Sequence, residues 1–464
     1  MAISQSGNNA VPAPNKVAVA SNYLDFATAG QANWSQQFLP DLMEEEAEAY
    51  GKRTISGFLA QVGAEEAMTS DQVVWSEQGR LHLKYTGLIK GVSSGVAIDT
   101  LPTGHAIRVG DTIVISSAAK NLTVKAHVTT VAANEMTVAP YTAAHLTAAG
   151  FDADNDPLVI FVYGSEFTKG TSGRTESISP QFKSFSNKPI ILKDKYHVNG
   201  SDTSQIGWVE VTGEAGQSGF LWYLKAEGDT KSRFTDYLEM SMMEAVKKSS
   251  GHASAPEGSE GLFAAIEARG ILSNGLDSTT AATNLAEFDA VLKELDKQGS
   301  IEENMIYVNR DTALKLDDML AAQNAYGSGG TSFGVFSNSE DMALNLGFSG
   351  FRRGSYDFYK SDWKYLNDSM TRGSILAANT SQIRGVLIPA GVSSVYDEQL
   401  GKNLKRPFLH TRYRASQADD RRMKSWITGS VGGNITSDLD AMEVHYLSER
   451  CLVVQGANNF VMFN

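Results

Sequence analysis

Residues 216–249, GQSGFLWYLKAEGDTKSRFTDYLEMSMMEAVKKS, read as one long helix. Apolar side chains recur on one stripe at Phe220, Leu221, Leu224, Phe234, Leu238, Met242 and Val246, the 3.6-residue period of a helix buried on one side. Glu227 and Lys231, Asp229 and Arg233, and Glu244 and Lys248 stand four apart, where opposite charges support a helix. Lys247 and Lys248 fall in the expected last turn, at the negative end of the helix dipole, and Gly251 follows as a stop. At about 1.5 Å per residue the helix spans on the order of 50 Å, so it lies across other elements. Gly228 at its middle costs about 1 kcal/mol against alanine. That predicts either a bend there or a neighbour that needs the missing side chain, the alternative being two shorter helices.

The 464-residue chain is long enough for about three domains. With 42% hydrophobic and 20% charged residues it can bury a sizeable core. No apolar run is long enough to span a bilayer, and MAISQSGNNAVPAPNK lacks the basic start and apolar centre of a signal peptide, so the expectation is a soluble protein made in a cytoplasm, with no membrane partner. The single cysteine, Cys451 in RCLVVQG, excludes an intramolecular disulfide and reads as a buried strand thiol. A formal charge of −13 argues against a surface that grips nucleic acid throughout, though not against a protein that encloses it.

Outward from the helix, residues 1 to about 40 are small, polar and poorly periodic and read as an extended arm held by a neighbouring subunit, and a short acidic helix follows near FLPDLMEEEAEAYGK. From Asp71 to Tyr85 the chain alternates as one strand, with Leu81, Leu83 and Tyr85 on one face and Arg80, His82 and Lys84 on the other. KPIILKDKYHV at 188–198 is its expected partner in a long hairpin. Between them, DTIVISS (111–117), NLTVKAHVTTV (121–131), NEMTVAP (134–140) and PLVIFVYG (157–164) are four strand signals of a small β-barrel or sandwich. In the second of these Leu122, Val124, Ala126 and Val128 form the buried face. The Gly, Ser and Thr-rich stretch 164–187 reads as the return loop.

Residues 258–388 change to helices and strands in alternation: GLFAAIEARGI and NLAEFDAVLKELDKQG are helices, NMIYVN (304–309) is a strand, and RDTALKLDDMLAAQNAY is a helix, the order of a compact α/β domain. The loop YGSGGTSFG (326–334) interrupts it, and from Arg384 to Asn464 the chain is mostly strands.

Chemistry is sparse. No phosphate loop, zinc-binding HExxH, paired CxxC or dinucleotide fingerprint occurs, so no cofactor, metal or catalytic residue is expected. GVSSG (91–95) matches a nucleophile elbow at Ser93, but strand-like VAIDT follows where a helix is required. Asp152, Asp154 and Asp156 open like a calcium loop, but Pro157 occupies the glycine position and Tyr163 the place of the bidentate glutamate. A basic concentration runs from Lys402 to Lys424 through Lys405, Arg406, Arg412, Arg414, Arg421 and Arg422. It reads either as a solvated strand face or as a contact with acidic surface on another copy. No run of stacking aromatics accompanies it, which disfavours nucleic acid.

The series of arm, hairpin carrying an insertion, long helix, α/β domain and closing strands resembles the major capsid protein of tailed bacteriophages, the fold named after the Hong Kong lambdoid coliphage and shared with encapsulin compartments. IGWVEVTGEAGQSGFLWYLKAEGDTKSRFTDYLE (206–239) is similar to the crAss-like phages of gut bacteria. The resemblance implies an α+β fold: an N-terminal arm (1–54), an extended loop (55–86 and 165–198), an inserted β domain (87–164), a peripheral domain with a spine helix (199–257 and 389–464) and an axial domain (258–388). It further implies hexamers and pentamers in an icosahedral shell around double-stranded DNA, assembled in a bacterial cytoplasm, with portal, scaffolding and decoration proteins as partners. No long charged helical segment precedes the arm, so scaffolding is expected as a separate protein. Arg80, Lys84 and the six basic residues from Lys405 to Arg422 are then candidate inter-subunit contacts, and Gly327, Gly329 and Gly330 a candidate axial loop. No lysine and asparagine can be assigned to the crosslink that some relatives form. An encapsulin-like compartment and a β-rich cell-surface or fibre protein are the competing readings.

Overall fold

The computed structural model describes residues 55–62, 64–80, 82–89, 97–117, 119–151, 157–174, 177–178, 182–204, 211–212, 218–219, 222–249, 254–325, 350–374, 382–390, 392–397, 402–431 and 435–464. The expected arm, GVSSG with Ser93, the turn at Asp152, Asp154 and Asp156, and the loop with Gly327, Gly329 and Gly330 lie outside them. The chain forms a smaller compact unit that includes Tyr196–Thr230 and Ile427–Glu443, and a larger one of Thr54–Lys195, Lys231–Trp426 and Val444–Asn464.

In the larger unit a five-residue helix, α1 (Phe58–Val62), leads into β1 (Ala64–Met68) and β2 (Val73–Gln78). The single strand expected from Asp71 to Tyr85 is therefore two. The first ends at Gln78; exposed Leu83 precedes β3 (Lys84–Ile89), which turns Tyr85 into the core of a barrel. With β4 (Ala97–Asp99), β5 (Asp111–Ser117), β6 (Leu122–Val131), β7 (Met136–Pro140) and β8 (Pro157–Ser165) it closes in the order β3-β4-β7-β6-β5-β8. The barrel thus has six strands where four were legible. The added ones are the last part of the supposed hairpin strand and the strand-like VAIDT. Alternation fills the interior with Ile113, Ile115, Val124, Ala126, Val128, Leu158 and Ile160, and Leu146 and Phe151 join them from the stretch after β7. Closure leaves no free edge to pair with another chain.

The ribbon that carries the barrel is β2 with β9 (Phe182–Asn187), antiparallel from Val73↔Asn187 to Gln78↔Phe182. The expected far arm, 188–198, instead forms β10 (Ile190–Asn199), which joins a separate five-stranded sheet. The smaller unit contains the turn α2 (Gly200–Thr203) and the two-residue pair β11 (Val211–Thr212) and β12 (Ser218–Gly219).

The long helix is α3 (Trp222–Glu244), unbroken through Gly228, whose missing side chain faces open space rather than a close neighbour. Phe234, Leu238, Met242 and Met243 are buried; Phe220 and Leu221 and the side chain of Leu224 lie outside the described set. The helix stops five residues before the expected Ser249, because the chain beyond it is drawn into backbone bonding elsewhere: Gly261 N–H donates to Ala245 O (2.8 Å) and Lys248 N–H to Glu257 O (2.9 Å). Lys247 accordingly serves no helix end but reaches the Ser186 carbonyl and Glu260, both at 2.6 Å, and Val246 is 67% exposed.

The following helices obey the sequence periodicity: α4 (Leu262–Arg269), β13 (Ile271–Ser273), α5 (Ala281–Gln298), β14 (Glu303–Val308) and α6 (Arg310–Ala325). Phe288, Val291 and Leu295 of α5 bury one stripe, and Gly299 ends the helix in the left-handed conformation at φ 66°. Then come β15 (Gly350–Arg353), β16 (Tyr356–Asp362), the turn α7 (Lys364–Asn367), β17 (Gly385–Pro389), the ribbon β18 (Val392–Asp397) and β19 (Lys402–Pro407), β20 (Leu409–Arg414), β21 (Lys424–Gly429), β22 (Ala441–Val454) and β23 (Val461–Phe463). Two sheets organise them. One has the order β1-β20-β22-β10, with β21 also on β22. The other is β13-β23-β17-β14-β16-β15 and covers a core of Phe288, Leu295, Leu316, Met319, Phe358 and Phe463. The expectation that everything after residue 388 completes the long helix's sheet fails at β23, which is inserted between β13 and β17 of the α/β sheet.

Candidate assembly site

Asp236 and Glu239 are three apart on α3 and so share a face. Both reach the backbone at the start of α1. Asp236 Oδ1 accepts from the N–H groups of Ile55 (3.1 Å) and Ser56 (3.0 Å), while Glu239 accepts from Gly57 (2.7 Å) and Leu59 (3.1 Å). Four donors that no local secondary structure satisfies are thereby paired with charged acceptors, the stronger kind of hydrogen bond. Burial raises the Glu239 pKa above the ordinary carboxylate value, and the bonds from Gly57, Leu59 and Phe58 partly oppose that rise. Beside this clamp the Phe58 ring stacks on Trp363 (4.4 Å between centroids) and meets Tyr307 edge-on (4.7 Å). The segment that leads out of residues 1–54 is therefore fixed both by polar bonds and by an aromatic cage.

The base of the β2–β9 ribbon is held just as firmly. Buried Asn187 donates to the carbonyls of Leu452 (2.6 Å) and Glu260 (3.0 Å) and accepts from Glu260 N–H (2.8 Å). The Arg269 guanidinium lies over Phe185 (4.4 Å to the centroid) and pairs with Glu77 (3.7 Å) and Glu260. At the end of α3, Glu244 binds Arg372 (2.6 Å) and the Tyr365 hydroxyl (2.6 Å), and burial, aided by that carboxylate, pushes the tyrosine's pKa well up.

Four of the basic residues singled out from the sequence, Arg412, Arg414, Arg421 and Arg422, meet acidic partners in the same chain. β1 runs parallel to β20 with Glu66 opposite Arg412, and these two pair at 2.6 Å. Glu65 reaches Arg422 (2.5 Å) and Arg450 (3.4 Å), Arg414 joins Asp71 and Glu449 (3.2 Å), and Arg421 closes on Glu449 at 2.9 Å. These arginines therefore staple β1 and Asp71 to β20 and β22. Arg80 bonds the Lys297 carbonyl and Gln298 (3.4 Å), and Lys84 is exposed on β3. Lys405 and Arg406 lie on β19, whose side chains are outside the described set. The structure thus brings Arg412, Arg414, Arg421 and Arg422 together, and it does so within one chain.

Asp236, Glu239, Phe58 and Asn187 carry only weak signals in the sequence, because each matters through a partner far away in the chain. The barrel's outer wall was more legible: in PLVIFVYG, Phe161 and Tyr163 alternate with buried Leu158 and Ile160, which turns both aromatics outwards. Among the described residues no group of three or more His, Cys, Asp or Glu side chains is placed to hold a metal ion, and no helix is long and apolar enough to cross a membrane. Cys451 is buried, as expected, and burial pushes its thiol up to about 12.

No known protein family and no curated protein matches the chain. Solved structures with a similar course include a chain of Mycobacterium phage Ogopogo (10% identity, 94% of this chain and 99% of that one, TM-score 0.44). Others are the mature capsid of bacteriophage PhiM1 (9% identity, 91% of each chain, TM-score 0.41) and the capsid of the cyanophage P-SCSP1u (9% identity, 96% of this chain and 98% of that one, TM-score 0.42). At TM-scores below 0.5 and about a tenth identity, these likenesses are too loose to decide what the chain does, which has to be read from its own surfaces.

Proposed function

We propose that the chain is a structural subunit of an icosahedral bacteriophage capsid, assembling as hexamers and pentamers into a shell around a double-stranded DNA genome. The observation that carries this reading is the two six-residue, two-stranded ribbons, β2–β9 and β18–β19, to which no third strand is added among the described residues. Such ribbons are marginal in water by themselves, and in a shell neighbouring subunits cover them. The chain places buried polar groups at the root of the β2–β9 ribbon, at Asn187 and Arg269, and at the start of α1, where Asp236 and Glu239 hold the segment that leads out of residues 1–54. An enzyme would concentrate such groups around a substrate; a wall subunit needs reach, fixed bases and area for neighbours. A closed array then repeats each weak contact many times.

On this reading residues 1–54 are the arm, the β2–β9 ribbon belongs to the extended loop, the barrel is the inserted domain, α3 is the spine helix and 258–388 form the axial domain. Gly327, Gly329 and Gly330 then lie near the capsomer axis, and Arg80, Lys84, Lys405 and Arg406 are candidate contacts between subunits. The partners are further copies, a portal protein, scaffolding and decoration proteins, and DNA bound without sequence preference. Assembly takes place in the host cytoplasm.

The test is negative-stain electron microscopy of the protein expressed alone and with its neighbouring genes. Closed shells, tubes or six-membered rings are expected, with DNA rather than an enzyme as the content. A monodisperse monomer under every condition overturns the reading.

A further inference from the structure

The outer wall of the barrel has a composition that its own fold does not require. The strand ladders place Lys84, Phe161, Val114 and Lys125 opposite one another in a single row across β3, β8, β5 and β6. At about 4.8 Å between strands, the two lysines bracket an apolar window roughly 14 Å wide. Tyr163 extends the window along β8, and Tyr141 flanks it, its N–H bonded to the Lys125 carbonyl (3.1 Å) and its hydroxyl to Glu166 (2.5 Å). Phe161 is 46% exposed, and Tyr163 and Tyr141 are each 50% exposed. Three half-exposed aromatics in one place mark a contact surface, since aromatics are enriched at the centres of protein interfaces.

Two occupants suit aromatics and cations. A single-stranded nucleic acid needs a track of phosphate-neutralising charge, and here there are two lysines with the Glu166 carboxylate beside Tyr141. The row therefore favours a protein partner with an apolar tip and few carboxylates. This chain, at net −13, presents such a tip. In the loop before β22, Ile435 is 85% and Leu439 48% exposed, with Asp438 and Asp440 alongside. The loop is rigid. Thr436 N–H donates to Gly429 O (2.9 Å), Gly429 N–H to Thr436 Oγ1 (2.8 Å), and the Ser430 N–H and hydroxyl both donate to Leu439 O (3.1 and 2.7 Å).

The geometry points to the barrel wall as the docking face for the 435–440 loop of a second copy, with Ile435 and Leu439 entering the aromatic window and Asp438 meeting Lys84 or Lys125. This inference rests on the shell-subunit reading for the identity of the partner. Full-length Phe161→Cys and Ile435→Cys proteins, each otherwise unchanged, are mixed under mild oxidation, and a disulfide-linked heterodimer is expected; buried Cys451 does not contribute. A mixture that gives no heterodimer beyond either protein alone overturns the proposal. In a second arm, Lys84→Glu/Lys125→Glu and Asp438→Lys each lower the yield of closed particles at least tenfold, and combining them restores it. Wild-type yield in both, or no rescue, overturns the contact while the shell reading stands. Wild-type protein that forms no particles overturns the shell reading, and the crosslinking arm still decides the contact. If the Phe161→Ser protein loses binding to a fluorescent single-stranded oligonucleotide while crosslinking fails, the wall is a nucleic-acid platform and the proposal is overturned.

Discussion

Replacing Glu239 by alanine isolates the clamp at the root of the N-terminal segment. The carboxylate accepts from Gly57 at 2.7 Å and from Leu59 at 3.1 Å in partly buried surroundings. Hydrogen bonds to a charged group contribute about 1.5–3 kcal/mol each, and a buried donor left unpaired costs about 1–3 kcal/mol. Against this stands the cost of holding the carboxylate away from water, visible in its raised pKa. The net loss on Glu239→Ala is therefore about 2–4 kcal/mol, below the sum of the two bonds. Glu239→Gln keeps one acceptor oxygen and removes the buried charge, so its loss is about 1–2 kcal/mol. Hydrogen exchange read by mass spectrometry on a peptide spanning 55–59 is the assay. At about 1.4 kcal/mol per factor of ten, protection there falls roughly 30- to 700-fold for alanine and 5- to 30-fold for glutamine. Protection in the barrel strands stays unchanged, since their core is separate. Equal protection in both variants and wild type, or a loss spread evenly into the barrel, refutes the clamp.

Three further outcomes follow from the same geometry. Phe234→Ala removes a ring that is 1% exposed and stacked on Tyr446 at 5.9 Å, so it lowers stability by about 3–5 kcal/mol in urea unfolding. The hydrogen bond from Arg353 holds the Asp289 pKa below its ordinary 3.8; its contribution is complete above that value and is lost as pH falls through the lower native one. Asp289→Asn therefore destabilises at pH 7, and its urea midpoint converges on that of the wild type as pH falls through the lowered native pKa. Cys451, buried and with its thiol pushed to about 12, reacts with iodoacetamide in the native protein at least a hundredfold more slowly than in denaturant.

Local periodicity made part of this fold legible. Helices at 262–269, 281–298 and 310–325 and the strand at 303–308 follow directly from it, because each buries a stripe or face that its own spacing defines. Strand partnership was not legible, since alternation fixes a face but not a neighbour. Leu81, Leu83 and Tyr85 alternate as one strand would, yet the chain breaks there to feed Tyr85 into the barrel, and 190–199 goes to a strand some 250 residues further on. The end of the long helix was misread for a similar reason: Lys247 and Lys248 suit a last turn, but 257–261 captures that backbone first. The arginines of 412–422 stood out as a concentration, whereas Glu65, Glu66 and Asp71, which neutralise them, are over 340 residues away.

The position of β23 also sets a timetable for synthesis. Val461–Phe463 lies between β13 and β17, so the α/β sheet lacks an interior strand while the ribosome is still adding the roughly 70 residues after β17. At about 5–20 residues per second that interval is on the order of ten seconds. During it the groove awaiting Phe463 stays open, and the nascent chain cannot complete that sheet. A chain halted before residue 461 keeps this defect permanently, exposing unpaired strand edges that chaperones and proteases can detect.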